Sequence, residues 1–301
     1  MTLIDTQWTY QGLPLIRLEN DILRVEVLPT LGGKIWTLEH RGLRRQFLWH
    51  HPRHRLRALP VGANYDDHFF GGFDELLPND IPETVQGATL VDHGELWTAP
   101  LQAQAEGERL TLRGQLPLTP LAYEKRLTLA KGALLLDYTL TNLGRQPLNL
   151  LWKLHPALRI SEGAEVLVPA ARARVADPAW SRQAHLQEFD WQRETNAHVV
   201  PLLTGSTEFL YLLDLAEGQC ALGHRQENWM FRLSFPKEIF SSVWLFASFG
   251  GWRDLELLIL EPCTTPHISL AECASRGACL RLAPKTTINA AVRVEVGAYD
   301  R

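Results

Sequence analysis

Alternation of apolar and polar residues with a period of two recurs along this 301-residue chain, and it leaves few folds open. In LRVEV, Leu23, Val25 and Val27 fall on one side and Arg24 and Glu26 on the other. RLTLR, residues 109–113, alternates in the same way, and YEKRLTLA sets Leu127 and Leu129 against Arg126 and Thr128. LLLDYTLT sets Leu134, Leu136, Tyr138 and Leu140 against Asp137, Thr139 and Thr141. TINAAVRVEV aligns Ile288, Ala290, Val292, Val294 and Val296. Each pattern describes a strand with one buried and one wet face, the habit of antiparallel sheets. Turn residues separate the runs: LGG at 31–33, AKG at 130–132, TNLGRQP at 141–147 and ASRG at 274–277. Short strands at such spacing predict a sandwich or barrel. Helix-period stretches are scarce, and residues 161–200 are expected to be loop with a short helix. No linker or repeat divides the chain. The expectation is all-β: one large antiparallel β-sandwich domain spanning residues 1–301.

Composition narrows the function. Hydrophobic residues make up 46% of the chain, enough for a sizeable core. A net charge of −4 argues against a nucleic-acid partner, which calls for a basic face. The basic stretch HRGLRRQFLWHHPRHRLR, residues 40–57, reads as a solvated loop. The opening MTLIDTQWTYQGLPL has neither a cationic start nor an apolar core segment, and no run reaches the ~18 apolar residues that span a bilayer. A cytoplasmic protein without a membrane partner is expected. Cys220, Cys263, Cys273 and Cys279 form no C-x-x-C pair, so free thiols and no metal site are expected.

Four stretches could carry chemistry. In LNLLWKLHP, Leu148, Leu150, Trp152 and Leu154 share a core-like side, while Asn149, Leu151, Lys153 and His155 share a mixed one. That mixed side suits either a cleft or a solvated sheet face. Pro156 cannot donate to a ladder, which predicts a strand end or edge there. In ELLILEPCTTP, Glu261 ends an apolar run just before Pro262. A carboxylate among aliphatic side chains loses hydration, and its pKa rises toward the working range of a general base. The bland alternative is a strand-end Glu that reaches solvent. VDHGELWTAP sets His93 beside Gly94, with Trp97 as an aromatic surface for a ligand or as core. GANYDDHFFGGFDELLPND gathers acids around a Gly-Gly without calcium-loop spacing, so it is read as a ligand-contacting loop with Glu75 and Asn79 its expected contributors.

Taken together, these segments resemble the galactose mutarotase (aldose 1-epimerase) superfamily over nearly the whole chain. NDILRVEVLPTLGGKIWTLEHRG resembles its opening strands, DHGELWTAP its first histidine segment, and the run from LAYEKRLTLA to LWKLHPALRI its central strands and second histidine. LLILEPCTTP resembles the strand of its catalytic glutamate, and APKTTINAAVRVEV its last strand. The resemblance implies a sandwich with a sugar cleft on one sheet, a sugar substrate and no cofactor. It implies Glu261 as the base on the anomeric hydroxyl and His155 as the acid on the ring oxygen, on opposite sides of the C1–O5 unit. His93 would orient the sugar, with Glu75, Asn79, Trp97 and Lys153 as further contacts. Two departures mark a divergent branch: no Tyr-Asp-His segment lies between 200 and 245, and the early loop offers acids where the family has an arginine. Two rival expectations accompany this one. The first is a carbohydrate-binding or regulatory protein without turnover. The second is an epimerase for a phosphorylated sugar, with Arg172 and Arg174 near the cleft strand.

Overall fold

The computed structural model describes residues 1–85 and 87–300. Among them, two large antiparallel sheets of twelve and eight strands dominate, with two small two-stranded ribbons. The chain is an all-β sandwich. The alternating runs form its strands: Leu23–Leu28, Arg109–Gln115, Leu121–Ala130, Ala133–Asn142 and Thr287–Gly297. Their apolar positions, among them Val25, Leu127, Leu136 and Val294, meet Trp152, Leu154, Leu245 and Leu260 in the main core between the sheets. Burial of that apolar surface, at roughly 25 cal/mol per Å², is what drives the two sheets together.

One polar pair interrupts this core. Lys125 follows the parity of Leu127 and Leu129, so its side chain points inward. Its ammonium bonds both carboxylate oxygens of Glu75, at 2.9 and 2.8 Å, and the carbonyl of Gly33 at 2.7 Å. Tyr138 donates to the same carboxylate at 2.7 Å.

Residues 161–200 are more ordered than expected. They contain strands Glu165–Leu167, Ala170–Val175 and Glu188–Asp190, with a single-turn helix at Pro178–Trp180. In the strand AARARV only Ala173 is fully buried, with Ala170 and Val175 packed against the core, too little to give a hydrophobic period, and its pairing with Ser206–Leu215 supplies the order that local sequence lacks. Likewise Leu148–Leu150 pairs with Leu280–Leu282 as a separate ribbon, and a new strand begins at Lys153. No helix among the described residues is long and apolar enough to cross a membrane.

Candidate active site

Strand Lys153–Leu158 runs through the twelve-stranded sheet between Phe73–Leu76 and Glu256–Cys263. Trp152 and Leu154 enter the core between the sheets, while Lys153 and His155 line a cavity on the opposite face. Pro156 lies inside this strand and Pro262 inside its neighbour, not at strand ends. The ladder between the two strands pairs Lys153 with Cys263 and resumes at Ala157 with Ile259. In the interval each proline lacks the N–H that a continuous ladder needs. His155 and Glu261 occupy that interval side by side.

The cavity has a volume of about 260 Å³, and both residues are on its wall. Nε2 of His155 lies 3.8 Å from Oε2 of Glu261. Lys153 Nζ reaches the same oxygen at 2.9 Å and Asp80 Oδ1 at 2.6 Å. His93 closes this polar end: its Nε2 is 3.8 Å from Asp80, and its Nδ1 bonds Asp92 at 2.8 Å. The ring of His93 stacks on Tyr65, with centroids 4.2 Å apart. Gly94 makes that pose possible. A Cβ at position 94 would sit 1.9 Å from the carbonyl oxygen of Leu77, and its φ of +71° favours glycine. Beyond this end the wall is aromatic, formed by Trp180, Phe209, Trp244, Phe246 and Trp252.

No protein-family model matches the sequence, and no curated protein matches it. Solved structures do match. The Slr1438 protein of Synechocystis sp. PCC 6803 superimposes with a TM-score of 0.73 at 19% identity, over 98% of each chain. An Escherichia coli K12 protein provisionally described as an aldose 1-epimerase gives 0.73 at 15% identity, over 96% of this chain and 100% of its own. A galactose mutarotase-like protein of Clostridium acetobutylicum gives 0.71 at 12% identity, over 99% of both chains. The chain has a galactose mutarotase-like fold. Every one of these identities lies below 20%, so the likeness is one of fold.

Within this mutarotase-like fold, His93, Lys153, His155 and Glu261 converge on one cavity, and three expected contacts do not. Glu75 faces the core because the register sets Leu154 opposite Glu75 and His155 opposite Asp74. Asp74 is therefore the acid on the cleft side, paired with Lys34 and Tyr65. Asn79 is fully buried, its amide donating to the carbonyls of Ile81 and Val91, both at 2.7 Å, which secures the loop that presents Asp80. Trp97 is turned inward by the single-turn helix Leu96–Thr98 and supports Tyr65 edge-on at 4.9 Å. Sequence reading missed Asp80, Tyr65, Asp74 and the aromatic wall. Arg172 and Arg174, the basis for an anionic substrate, are engaged elsewhere: Arg172 with Glu188 and Asp214, Arg174 with the carbonyl of Pro266. Nor does the pair straddle a hollow. At 3.8 Å the two groups form one floor of the cavity.

The electrostatics follow from burial. Desolvation pushes the Glu261 carboxyl above its usual range, and the ammonium of Lys153 opposes that rise. Desolvation, then Lys153, His93 and Lys34, hold His155 well below 6.5, which favours a neutral ring. Burial disfavours the cations of Lys153 and His93 too. For Lys153, Asp80 and Glu261 more than offset it; for His93, Asp80 and Asp92 do. Among the described residues no group of three His, Cys, Asp or Glu side chains is arranged to hold a metal ion.

Proposed function

We propose that this protein is a carbohydrate isomerase of the aldose 1-epimerase type, interconverting the α and β anomers of a neutral aldose. One observation carries the reading: a buried imidazole and a buried carboxylate, 3.8 Å apart, face a cleft of about 260 Å³ walled by aromatic rings. That volume is just under the roughly 300 Å³ lower bound for drug-sized ligands. Opening a pyranose needs a base on the anomeric hydroxyl and an acid on the ring oxygen, two atoms joined through one carbon. A sugar seated over the pair presents both.

Glu261 takes the proton from the anomeric oxygen while His155, protonated at Nε2, gives its proton to the ring oxygen. The bond from C1 to the ring oxygen breaks and C1 becomes an aldehyde. Rotation about C1–C2 and closure on the other face return both protons. Holding the two groups in one rigid ladder interval supplies positioning that solution chemistry lacks. Lys153 moderates the charge of Glu261, while Asp80 and His93 offer an acceptor and a donor to sugar hydroxyls. The lining carries four acids, Asp66, Asp80, Asp177 and Glu261, against Lys153 and His93, which favours a neutral sugar over a phosphorylated one. Unpaired Cys220, Cys263, Cys273 and Cys279 suit a reducing compartment, and the proposed setting is cytoplasmic carbohydrate metabolism.

Polarimetry on freshly dissolved α-anomers of neutral hexoses and their 6-phosphates tests the reading. Accelerated equilibration of a neutral hexose is expected. Sugar binding without acceleration of any aldose would make this a carbohydrate-binding protein instead.

A further inference from the structure

Behind His155, on the side away from Glu261, a chain of three buried polar groups has no role in the steps above. The hydroxyl of Tyr65 lies 2.9 Å from Oδ2 of Asp74 and 3.2 Å from Nδ1 of His155. Asp74 is in turn paired with Lys34, whose ammonium also bonds the carbonyl of Gly71 at 2.9 Å. We infer that Tyr65 and Asp74 fix the tautomer of His155 with its proton on Nδ1, leaving Nε2 as the one ring atom that exchanges protons with the sugar. The inference rests on the assignment of His155 as an acid–base group.

A phenol has a single proton to place. The carboxylate of Asp74 only accepts, and it already receives the ammonium of Lys34. Directing the phenol proton to His155 would leave two oxygens facing each other lone pair to lone pair at 2.9 Å, in a buried site where an unmade hydrogen bond is costly. The proton therefore goes to Asp74, and the Tyr65 oxygen accepts from Nδ1–H. In a neutral imidazole that leaves Nε2 bare, and Nε2 is the atom that faces Glu261 at 3.8 Å.

The ring is also held in place. Tyr65 and Phe69 meet it edge-on, with interplanar angles of 88° in both cases. The charged and titratable groups around His155 are Lys153 on its own strand, Glu261 on one neighbouring strand and Asp74 on the other, Lys34 beyond, and His93 and Tyr65 from the loops. Through a catalytic cycle the Nδ1 proton stays on the ring, bonded to a phenol backed by the Asp74–Lys34 pair. Only the Nε2 proton travels. Tyr65, Asp74 and Lys34 are positioning residues.

Two-bond 1H–15N correlation spectra of the full-length labelled protein without sugar test this, with His155 assigned by its loss in a His155→Gln variant. A pyrrole-type signal at Nδ1 and a pyridine-type signal at Nε2 are expected. The reverse pattern overturns the inference. Tyr65→Phe keeps the aromatic ring and the Lys34–Asp74 pair. It is expected to populate both tautomers and to lower kcat on the order of tenfold or more, with less change in KM. A wild-type tautomer together with wild-type kcat in that variant also overturns it. Should the variant fail to fold, the wild-type spectrum decides alone. An Nδ1–H ring in a protein without epimerase activity would remove the proposed function and leave only the tautomer assignment standing; an Nε2–H ring in an active epimerase would overturn the tautomer assignment and keep the proposed function.

Discussion

The ammonium of Lys153 lies 2.9 Å from Oε2 of Glu261, closer than the imidazole of His155 at 3.8 Å from that oxygen. It lowers the pKa of both partners in the proposed proton exchange. Lys153→Met removes that influence, so the pH profile of kcat/KM should move to higher pH. It also leaves Asp80 and Glu261 buried without their cation. Breaking a buried pair by removing one partner costs about 3–5 kcal/mol, which urea unfolding would report. A variant with an unmoved profile would show that Lys153 does not govern the pair.

The wild-type profile carries its own prediction. Ring opening needs one proton shared by His155 and Glu261, and the apparent pKa values belong to the pair. Desolvation and the cations Lys153, His93 and Lys34 hold His155 well below 6.5. The proton that the acid must donate is therefore lost as pH rises through a value under 6.5. Desolvation raises Glu261 above 4.5, so the carboxylate protonates and the acid limb falls as pH drops toward that value. Rates of mutarotation measured across pH should fall on both sides of a maximum, with the alkaline limb shifted below that of a free imidazole.

On the proposed function, Gly94 bears on sugar binding through His93. Gly94→Ala would drive a Cβ to 1.9 Å from the Leu77 carbonyl at a φ of +71°. The backbone must shift, at a cost of more than about 1 kcal/mol, and carry His93 off Tyr65. Calorimetry should find weaker sugar binding in the folded variant, with the fold still visible by circular dichroism.

Glu75 belongs to the core, so its neutralisation should be felt as stability, not recognition. Glu75→Gln leaves Lys125 buried against a neutral amide, with an expected loss of about 3–5 kcal/mol in unfolding free energy. Sugar affinity of the folded fraction should match wild type. A selective loss of affinity would return Glu75 to the cleft.

Parity alone told that Lys153 and His155 oppose Trp152 and Leu154, because one side is apolar and the other is not. In FDELL parity fails: Asp74 and Glu75 fall on opposite faces of a strand apolar at both ends, and only the cross-strand register with His155 tells which acid meets the cleft. Pro156 and Glu261 looked like strand-end residues since a proline breaks a ladder, yet the break here is a gap inside two strands whose other pairs hold. Phe209, Phe246 and Trp252 were indistinguishable from core aromatics, because nothing local says which sheet face is covered. Distances between the functional groups are tertiary, which is why a hollow between His155 and Glu261 was expected and a shared floor was found.

The central claim concerns proton exchange between one carboxylate and one imidazole, and Glu261→Gln tests it most directly. The variant keeps the size of the side chain and removes its basicity. Polarimetry with the hexose that wild type equilibrates fastest, paired with calorimetric binding of that sugar, should show a rate lower by roughly 10²-fold or more with binding largely kept. A variant that equilibrates the sugar at the wild-type rate would contradict the account.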